Sequence, residues 1–345
     1  MTLGYKKVIQ AITISLLIAI FLNGCGQRAF QQSRLLMGTL IEVTVVCRDQ
    51  VQANKAIETA FQEMGRVEHL LSIYQNESPI SMINNLAGDQ TVMVDSEVFQ
   101  ILKEAIGYGK LTSGAFDLGI GPLTSLWDFG QGHIPSKDEI AAKLLLVDYR
   151  DVILNEGGEV RFGAAGMAID LGGIAKGYAV DRAIEVLEAN GVSRAMVNAG
   201  GDMRVIGRIW RIGIQHPREA NSVLGILRLK DEAVATSGDY QRYFIKDGVR
   251  YHHIIDPRTG WPATDCMSVT IVAKEAAMAD ALATGCFVLG PKLGMELIRS
   301  LPGVEGIIVS SEGKVLASSE LIKSCRFFSR DSDKGITESE YQGRI

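Results

Sequence analysis

The sequence has few prolines, few aromatic residues and no excess of basic charge. Eight prolines stand against 37 glycines in 345 residues, and aromatic side chains make up only 7%. Thirty-five lysines and arginines against 40 aspartates and glutamates give a net charge of −5, which argues against non-specific nucleic-acid binding, because that requires a basic face. With 47% apolar and 22% charged residues, the composition excludes a disordered tail protein, a collagen-like repeat and a coiled coil.

Several familiar site motifs are also missing. The sequence contains no Walker A loop, no GxGxxG dinucleotide-binding fingerprint, no GxSxG elbow and no HExxH zinc motif. The five cysteines show no CxxC pair and no zinc-binding spacing. The glycines, in contrast, are abundant and clustered, which suggests a backbone that comes close to a ligand.

The first 25 residues are typical of a secretory signal. Two lysines precede an apolar run, Val8–Leu22, that is short for a membrane-spanning helix. The run ends in Leu22-Asn23-Gly24-Cys25, which resembles a bacterial lipobox, so we expect export and a lipid anchor on Cys25 at the periplasmic face of a membrane. A plain signal peptide or an uncleaved anchor is the alternative. We accordingly expect four segments: signal 1–24, linker 25–33, folded domain 34–325 and polar tail 326–345.

Hydrophobic periodicity predicts helices and strands that alternate only in part. Frequent tight hairpins favour an α+β fold, with mixed or largely antiparallel sheets and packed helices, over a doubly wound parallel sheet. The predicted helices are 52–73, 98–111, 139–145, 174–190, 276–289 and 292–300. The predicted strands are 40–46, 152–154, 160–162, 195–198, 203–207, 210–214, 225–230, 233–236, 240–246, 268–273 and 306–310.

Two glycine-rich turns are candidates for anion binding. Gly172 and Gly173 precede a predicted helix, where free amides and the helix dipole favour an anion, and Lys176 in the first turn could neutralise a phosphate. The second turn, Asn198–Asp202, follows a strand and carries an acid. In both cases a purely structural turn is the alternative, with Asp202 bonded to its own backbone in the second.

The helix predicted at 276–289 is apolar nearly all round, yet it contains Asp280 and Thr284. Four residues apart, they share one face. Because a buried carboxylate is costly without a cation or strong donors, a Mg²⁺ site with oxygen ligands would explain them. An aspartate paired to an arginine or to backbone amides is the alternative.

A histidine pair precedes an acidic turn further along the chain. His252 and His253 lie on a predicted strand end and point to opposite faces, so only one can serve a given site. A histidine three residues before Asp256 is a credible acid–base pair, although a turn with a surface histidine fits the pattern as well. Two aromatic residues, Tyr74 and Phe116, are candidates for stacking on a flat ring, or else core residues.

Taken in order, these stretches resemble the ApbE family of flavin transferases, the FAD:protein FMN transferases. The similarity covers most of residues 35–320 and does not depend on any single motif. The segments that carry it are Met37-Gly38-Thr39, Leu71–Tyr74, Ser113–Asp117, Asp170–Asp181, Asn198–Asp202, Thr236–Tyr240, His253–Gly260 and Ala279–Thr284.

The resemblance implies an α+β fold related to the tunnelling fold and makes 34–325 a catalytic domain. Such an enzyme would bind FAD and Mg²⁺, cleave the pyrophosphate, join FMN to a threonine or serine hydroxyl of a target protein and release AMP. The family's targets are subunits of membrane redox complexes, of the sodium-pumping quinone reductase and electron-bifurcating kinds. Many members share a lipid-anchored start.

The resemblance also implies roles for individual residues. Asp280, Thr284 and the backbone carbonyl of Gly173 would hold Mg²⁺, and His253 would take the proton from the acceptor hydroxyl. The residues implied to contact FAD are Met37, Tyr74, Ala115, Phe116, Asp117, Asp170, Lys176 and Ser268. Two alternatives stay open: an FAD pyrophosphatase that uses water as the nucleophile, and a lipid-anchored flavin-binding protein without turnover.

Overall fold

The computed structural model describes residues 27–327. Residues 1–26 and 328–345 lie outside this part of the chain, and with them the predicted signal, Cys25 and most of the expected polar tail. Within it, helices pack on mixed and mainly antiparallel sheets, so the α+β prediction is confirmed.

The α-helices form wherever apolar residues recur at helical spacing, and four of the eight in the described part of the chain begin at a residue whose side chain accepts a backbone N–H: Asp49, Ser78, Asp95 and Ser136. Their bounds are α1 (Gln50–Leu71), α2 (Pro79–Leu86), α3 (Ser96–Leu111), α4 (Gly121–Thr124), α5 (Lys137–Leu144), α6 (Ala175–Ala189), α7 (Ala276–Ser300) and α8 (Ser319–Ser324).

The strands are short and are joined mostly by tight turns. Their bounds are β1 (Arg28–Leu36), β2 (Thr39–Cys47), β3 (Val92–Met93), β4 (Val152–Asn155), β5 (Glu159–Phe162), β6 (Ala195–Ala199), β7 (Asp202–Ile206), β8 (Trp210–Gln215), β9 (Val223–Leu229), β10 (Glu232–Gly238), β11 (Tyr243–Lys246), β12 (Val249–His252), β13 (Cys266–Ala273), β14 (Glu305–Ser310), β15 (Val315–Ala317) and β16 (Arg326–Phe327).

One eight-stranded sheet organises the fold, in the order β1-β2-β6-β7-β10-β13-β14-β15, with every neighbouring pair antiparallel. Side chains alternate between its two faces. One face packs against α1, α6 and α7. The other face packs against the three-stranded sheet β16-β9-β8, through residues such as Val205, Val272, Ile212 and Leu227. The central strands of the main sheet are therefore covered on both faces, whereas the edge strand β1 is largely exposed.

Helix α7 crosses the centre of the domain. Among the described residues it is the one helix with the length and mean hydropathy of a membrane-spanning segment, but most of it is buried against β10, β13 and β14, as expected of a core helix. The two helices predicted at 276–289 and 292–300 are its two halves. They meet at Gly290, whose φ of 79° is not helical, followed by Pro291.

All the helices and strands predicted from the spacing are present, with ends shifted by a few residues. The expected linker is the main difference. Residues 28–33 belong to β1, which pairs along its length with β2, because alternate side chains such as Phe30 pack on the core even though most of the strand is polar. Arg326 and Phe327, expected to belong to the tail, pair with β9 instead.

Candidate functional site

The site lies where the first turns of α6 and α7 meet. Asp181 of α6 accepts hydrogen bonds from the backbone amides of Ala276 (2.9 Å) and Ala277 (2.8 Å), and so caps α7 with a neighbour's side chain. Arg204 on β7 donates to the same carboxylate at 2.7 Å. Because Gly177 has no Cβ, α6 can lie directly on the carbonyl of Ala276. These contacts hold the two helix starts together.

A partly buried lysine lies between two carboxylates at this junction. The Nζ of Lys176 is 2.7 Å from Oδ2 of Asp202, at the start of β7, and 3.5 Å from Oδ2 of Asp280 on α7. The amide of Gly177 also donates to Oδ2 of Asp280, at 3.1 Å. Both carboxylates are almost fully buried. One ammonium therefore serves two acids, and the cluster has a net charge of −1 when both acids are ionised.

The pKa values at this cluster reflect the excess of carboxylates over ammonium groups. Burial lowers the pKa of Lys176, but the charges of Asp202 and Asp280 outweigh burial and hold it above its ordinary value, so the lysine stays protonated. Burial, followed by the charge of Asp280, raises the pKa of Asp202 to about 7. A second cation at the cluster would relieve this repulsion.

Oxygen atoms suited to a hard cation lie around Thr284, one helical turn from Asp280 on α7. The Oγ1 of Thr284 is 3.2 Å from the hydroxyl of Ser237 on β10. Gly173 is adjacent, since a Cβ at that position would lie 3.2 Å from Oγ1 of Thr284. No group of three His, Cys, Asp or Glu side chains in residues 27–327 is arranged to hold a metal. A carboxylate, hydroxyls and backbone carbonyls nevertheless suit Mg²⁺, which keeps several ligands from water or phosphate, so the residues fit the ion.

His253 follows β12 and lies near the cluster, since the charge of Lys176 contributes to its pKa. Burial mainly, and then His252 and Lys176, lower the pKa of His253 to about 4, so the imidazole is neutral at pH 7. Its Nδ1 lies 3.3 Å from the carbonyl of Arg242. A neutral imidazole held in this way can accept a proton.

The other histidine has a structural role. His252 is buried, its Nε2 is 2.7 Å from the carbonyl of Ala263, and its ring packs edge-on against Phe287 of α7. The two histidines thus point in different directions, as the strand pattern predicts. The predicted His253–Asp256 pair is wrong, because the carboxylate of Asp256 is engaged by two nitrogens of Arg258, at 2.8 and 2.7 Å.

Met37 and Tyr74 are both at the C-terminal end of α1. The amide of Met37, which has a φ of 52°, donates to Glu68 of α1 at 2.8 Å. The turn that follows Met37 lies against Gly200, where a Cβ would be 2.4 Å from Oγ1 of Thr39. Tyr74 is 81% exposed and presents an open ring. The structure therefore brings the Met37 turn next to the turn that leads into Asp202.

The segment Ala115–Asp117 packs inward. The Phe116 ring is 3% exposed, lies edge-on to Tyr108 with centroids 6.3 Å apart, and touches the position of Gly173, so it is not an open stacking surface. Asp117 accepts from the amides of Gly119 (2.7 Å) and Tyr149 (2.9 Å), and burial raises its pKa to about 6. Ala115 is also buried.

Two further predicted residues lie in different places: Asp170 is next to the start of α6, and Ser268 is away from the cluster. Asp170, in the turn before α6, accepts from the hydroxyl of Thr124 (2.9 Å) and the amide of Gly172 (2.8 Å), which shapes the glycine turn. Ser268 is buried on β13, and strand alternation puts it with Thr270 and Val272 on the face away from α7. The structure does not bring Ser268 to the cluster.

The sequence marked the turn that contains Asp202 as a candidate, but it assigned no individual role to Asp202, Ser237 or Asp181. Asp202 and Ser237 belong to polar turns that stand out in the sequence, but only the sheet order brings β7 and β10 next to α6 and α7. Asp181 carries no local signal at all, since the helix that it caps begins 95 residues later.

Comparison with known proteins agrees with this arrangement. The model of the ApbE family matches residues 37–308. An FAD:protein FMN transferase of Treponema pallidum is 34% identical over 343 residues, covering 91% of this chain and 95% of its own. One of Klebsiella pneumoniae is 36% identical over 297 residues, covering 85% and 92% respectively.

Solved structures match over nearly their whole length. An ApbE protein of Thermotoga maritima has 36% identity and a TM-score of 0.80, covering 86% of this chain and 99% of its own. The flavin transferase ApbE of Vibrio cholerae has 31% identity and a TM-score of 0.76, with the same coverage. The similarity therefore extends over the fold and every element that builds the site.

Proposed function

The chain belongs to the ApbE family, and we propose that it is an Mg²⁺-dependent FAD:protein FMN transferase. It transfers FMN from FAD to a threonine or serine hydroxyl of a target protein and releases AMP. The observation that carries the proposal is the cluster of Lys176 with the buried carboxylates of Asp202 and Asp280, beside Thr284. A permanent ammonium and a carboxylate beside a hydroxyl suit a diphosphate and the cation that accompanies it.

Transfer exchanges one phosphorus–oxygen bond for another. The acceptor hydroxyl oxygen bonds to the FMN phosphorus, the bond from that phosphorus to the bridging oxygen breaks, and AMP leaves with the bridging oxygen. His253 takes the hydroxyl proton, for which its neutral imidazole is suited. Such reactions depend mainly on positioning and charge, so the chain's task is to hold the reactants in line.

The remaining residues bind and orient FAD. The ammonium of Lys176 and the positive end of the α6 dipole supply positive potential to the phosphates. Mg²⁺, held by Asp280, Thr284 and the carbonyl of Gly173, would stabilise negative charge on the phosphates when bound. The open ring of Tyr74 offers a stacking surface, and Met37 lies at the same end of α1.

The cellular setting is part of the proposal. We propose that the chain is exported, processed before Cys25 and anchored by lipid to the periplasmic face of a bacterial membrane. The acceptors are then subunits of membrane redox complexes, of the quinone reductase or electron-bifurcating type. The lipobox-like Leu22–Cys25 sequence supports this part.

Intact-mass analysis tests the activity directly. The chain is incubated with FAD, Mg²⁺ and a folded acceptor domain from a membrane redox complex, and the expected result is covalent FMN on the acceptor with one AMP released for each FMN. An acceptor whose target threonine is replaced by valine is the control. FMN and AMP without labelled acceptor would instead identify a pyrophosphatase, and FAD recovered intact would identify a binding protein.

A further inference from the structure

The lysine between the two carboxylates has two partners at unequal distances. Nζ of Lys176 is 2.7 Å from Asp202 and 3.5 Å from Asp280. Asp280 is also the carboxylate that fits a divalent cation, and Lys176 already places a positive charge next to it. An ammonium and a metal ion beside the same carboxylate repel each other. A metal ion at Asp280 therefore requires the lysine to be held by something else.

Asp202 is placed to hold the lysine. Its carboxylate is buried at the first residue of β7, a strand fixed between β6 and β10, so it cannot follow the lysine. Asp280 is fixed as well, since the amide of Gly177 donates to its Oδ2. Lys176, with a long flexible side chain and 29% of its side-chain surface exposed, is the mobile member of the three.

We propose that Asp202 is a positioning residue that draws Lys176 away from Asp280, so that Asp280 is free to bind a divalent cation. Lys176 compensates the buried charge of Asp280 before the metal arrives, and Asp202 holds it afterwards. The inference rests on the proposed function only in assigning a divalent cation to Asp280.

Metal binding to the FAD-free protein tests this with no catalytic step. Mn²⁺ affinity is measured by electron paramagnetic resonance for the wild type, Lys176→Met, Asp202→Asn and the double variant. Lys176→Met should bind Mn²⁺ about tenfold more tightly, because the competing charge is gone. Asp202→Asn should bind about tenfold more weakly, because Lys176 then stays on Asp280. Lys230→Met, which removes an exposed lysine, is the matched control.

The double variant decides between positioning and direct ligation. If Asp202 acts through Lys176, its own substitution should matter little when the lysine is absent. In the Lys176→Met background, Asp202→Asn should therefore lower Mn²⁺ affinity by less than about threefold. An equal loss in both backgrounds would make Asp202 a metal ligand or a merely structural residue and would overturn the proposal. Asp202→Glu should recover part of the affinity lost in Asp202→Asn, and thermal unfolding of each variant shows that it is folded.

The outcomes for this inference and for the proposed function are separate. A failed acceptor assay with the expected Mn²⁺ pattern would reject flavin transfer and keep the positioning role of Asp202. Flavin transfer by the wild type without the expected Mn²⁺ pattern would keep the proposed function and reject the positioning role of Asp202.

Discussion

Gly177 lies so close to Ala276 that a Cβ at position 177 would be 2.2 Å from the carbonyl oxygen of Ala276. The obstruction is backbone, which cannot rotate away as a flexible side chain can. We therefore expect Gly177→Ala to force α6 and α7 apart and to lower the free energy of unfolding by about 3 kcal/mol. Urea unfolding followed by circular dichroism measures the change.

A second glycine supplies the control. Gly107 is exposed within α3, and a Cβ there would meet nothing within 4 Å. Gly107→Ala should raise the free energy of unfolding by about 0.5 to 1 kcal/mol, because alanine is the better helix former. Equal effects of the two substitutions would show that helix propensity, and not the contact of α6 with α7, governs position 177.

Replacing His253 should separate binding from transfer. Its imidazole is not a partner of Lys176 or of the carboxylates, so His253→Ala should leave FAD affinity within about twofold while slowing FMN transfer by roughly 10² to 10⁴. FAD binding is followed by flavin fluorescence and transfer by intact mass. His133→Ala, at an exposed histidine, should change neither quantity. Normal transfer by His253→Ala would refute its role as the base.

The lowered pKa of His253 predicts a direct titration result. In the FAD-free protein its imidazole resonance, assigned by its loss in His253→Ala, should titrate near pH 4 and not near the ordinary 6.5. Between these values the unfolded chain binds a proton that the folded chain does not, so the stability contributed by this residue falls as the pH falls from 6.5 to 4. A midpoint near 6.5 would contradict the burial argument.

Substitutions of Asp280 and of Thr284 should weaken Mn²⁺ binding to different extents. Asp280→Asn removes the charge and should weaken Mn²⁺ binding by about a hundredfold or more, whereas Thr284→Val removes one neutral oxygen and should cost about tenfold. Thr284→Ser keeps the hydroxyl and serves as the control. Isothermal titration without FAD gives these affinities, and an unchanged affinity in Asp280→Asn would place the cation elsewhere.

Asp181 should be important for stability although it does not touch the metal site. Its carboxylate caps α7, and its loss also leaves Arg204 half-buried without its carboxylate partner. We expect Asp181→Ala to lower the free energy of unfolding by about 3 kcal/mol. Asp49→Ala, which removes an exposed cap of α1, should cost only about 1 kcal/mol.

The sequence was informative where the physical cause is local. The spacing of Asp280 and Thr284 in an apolar helix singled out the site, and Gly172 and Gly173 marked the start of α6. The sequence does not predict contacts between residues that are distant in the chain. Nothing near Asp202 indicates Lys176, and nothing near Ser268 shows which face of β13 it occupies, because both depend on the order of strands in the main sheet.

β1 also bears on how the domain stands at a membrane. Its pairing with β2 starts at Arg28, three positions after Cys25. Three extended residues span at most about 11 Å, so acyl chains on Cys25 would keep the folded body nearly in contact with the lipid headgroups. With the proposed anchor, the enzyme would stay close to the bilayer and would reach only those acceptor hydroxyls that its partners present near the membrane surface.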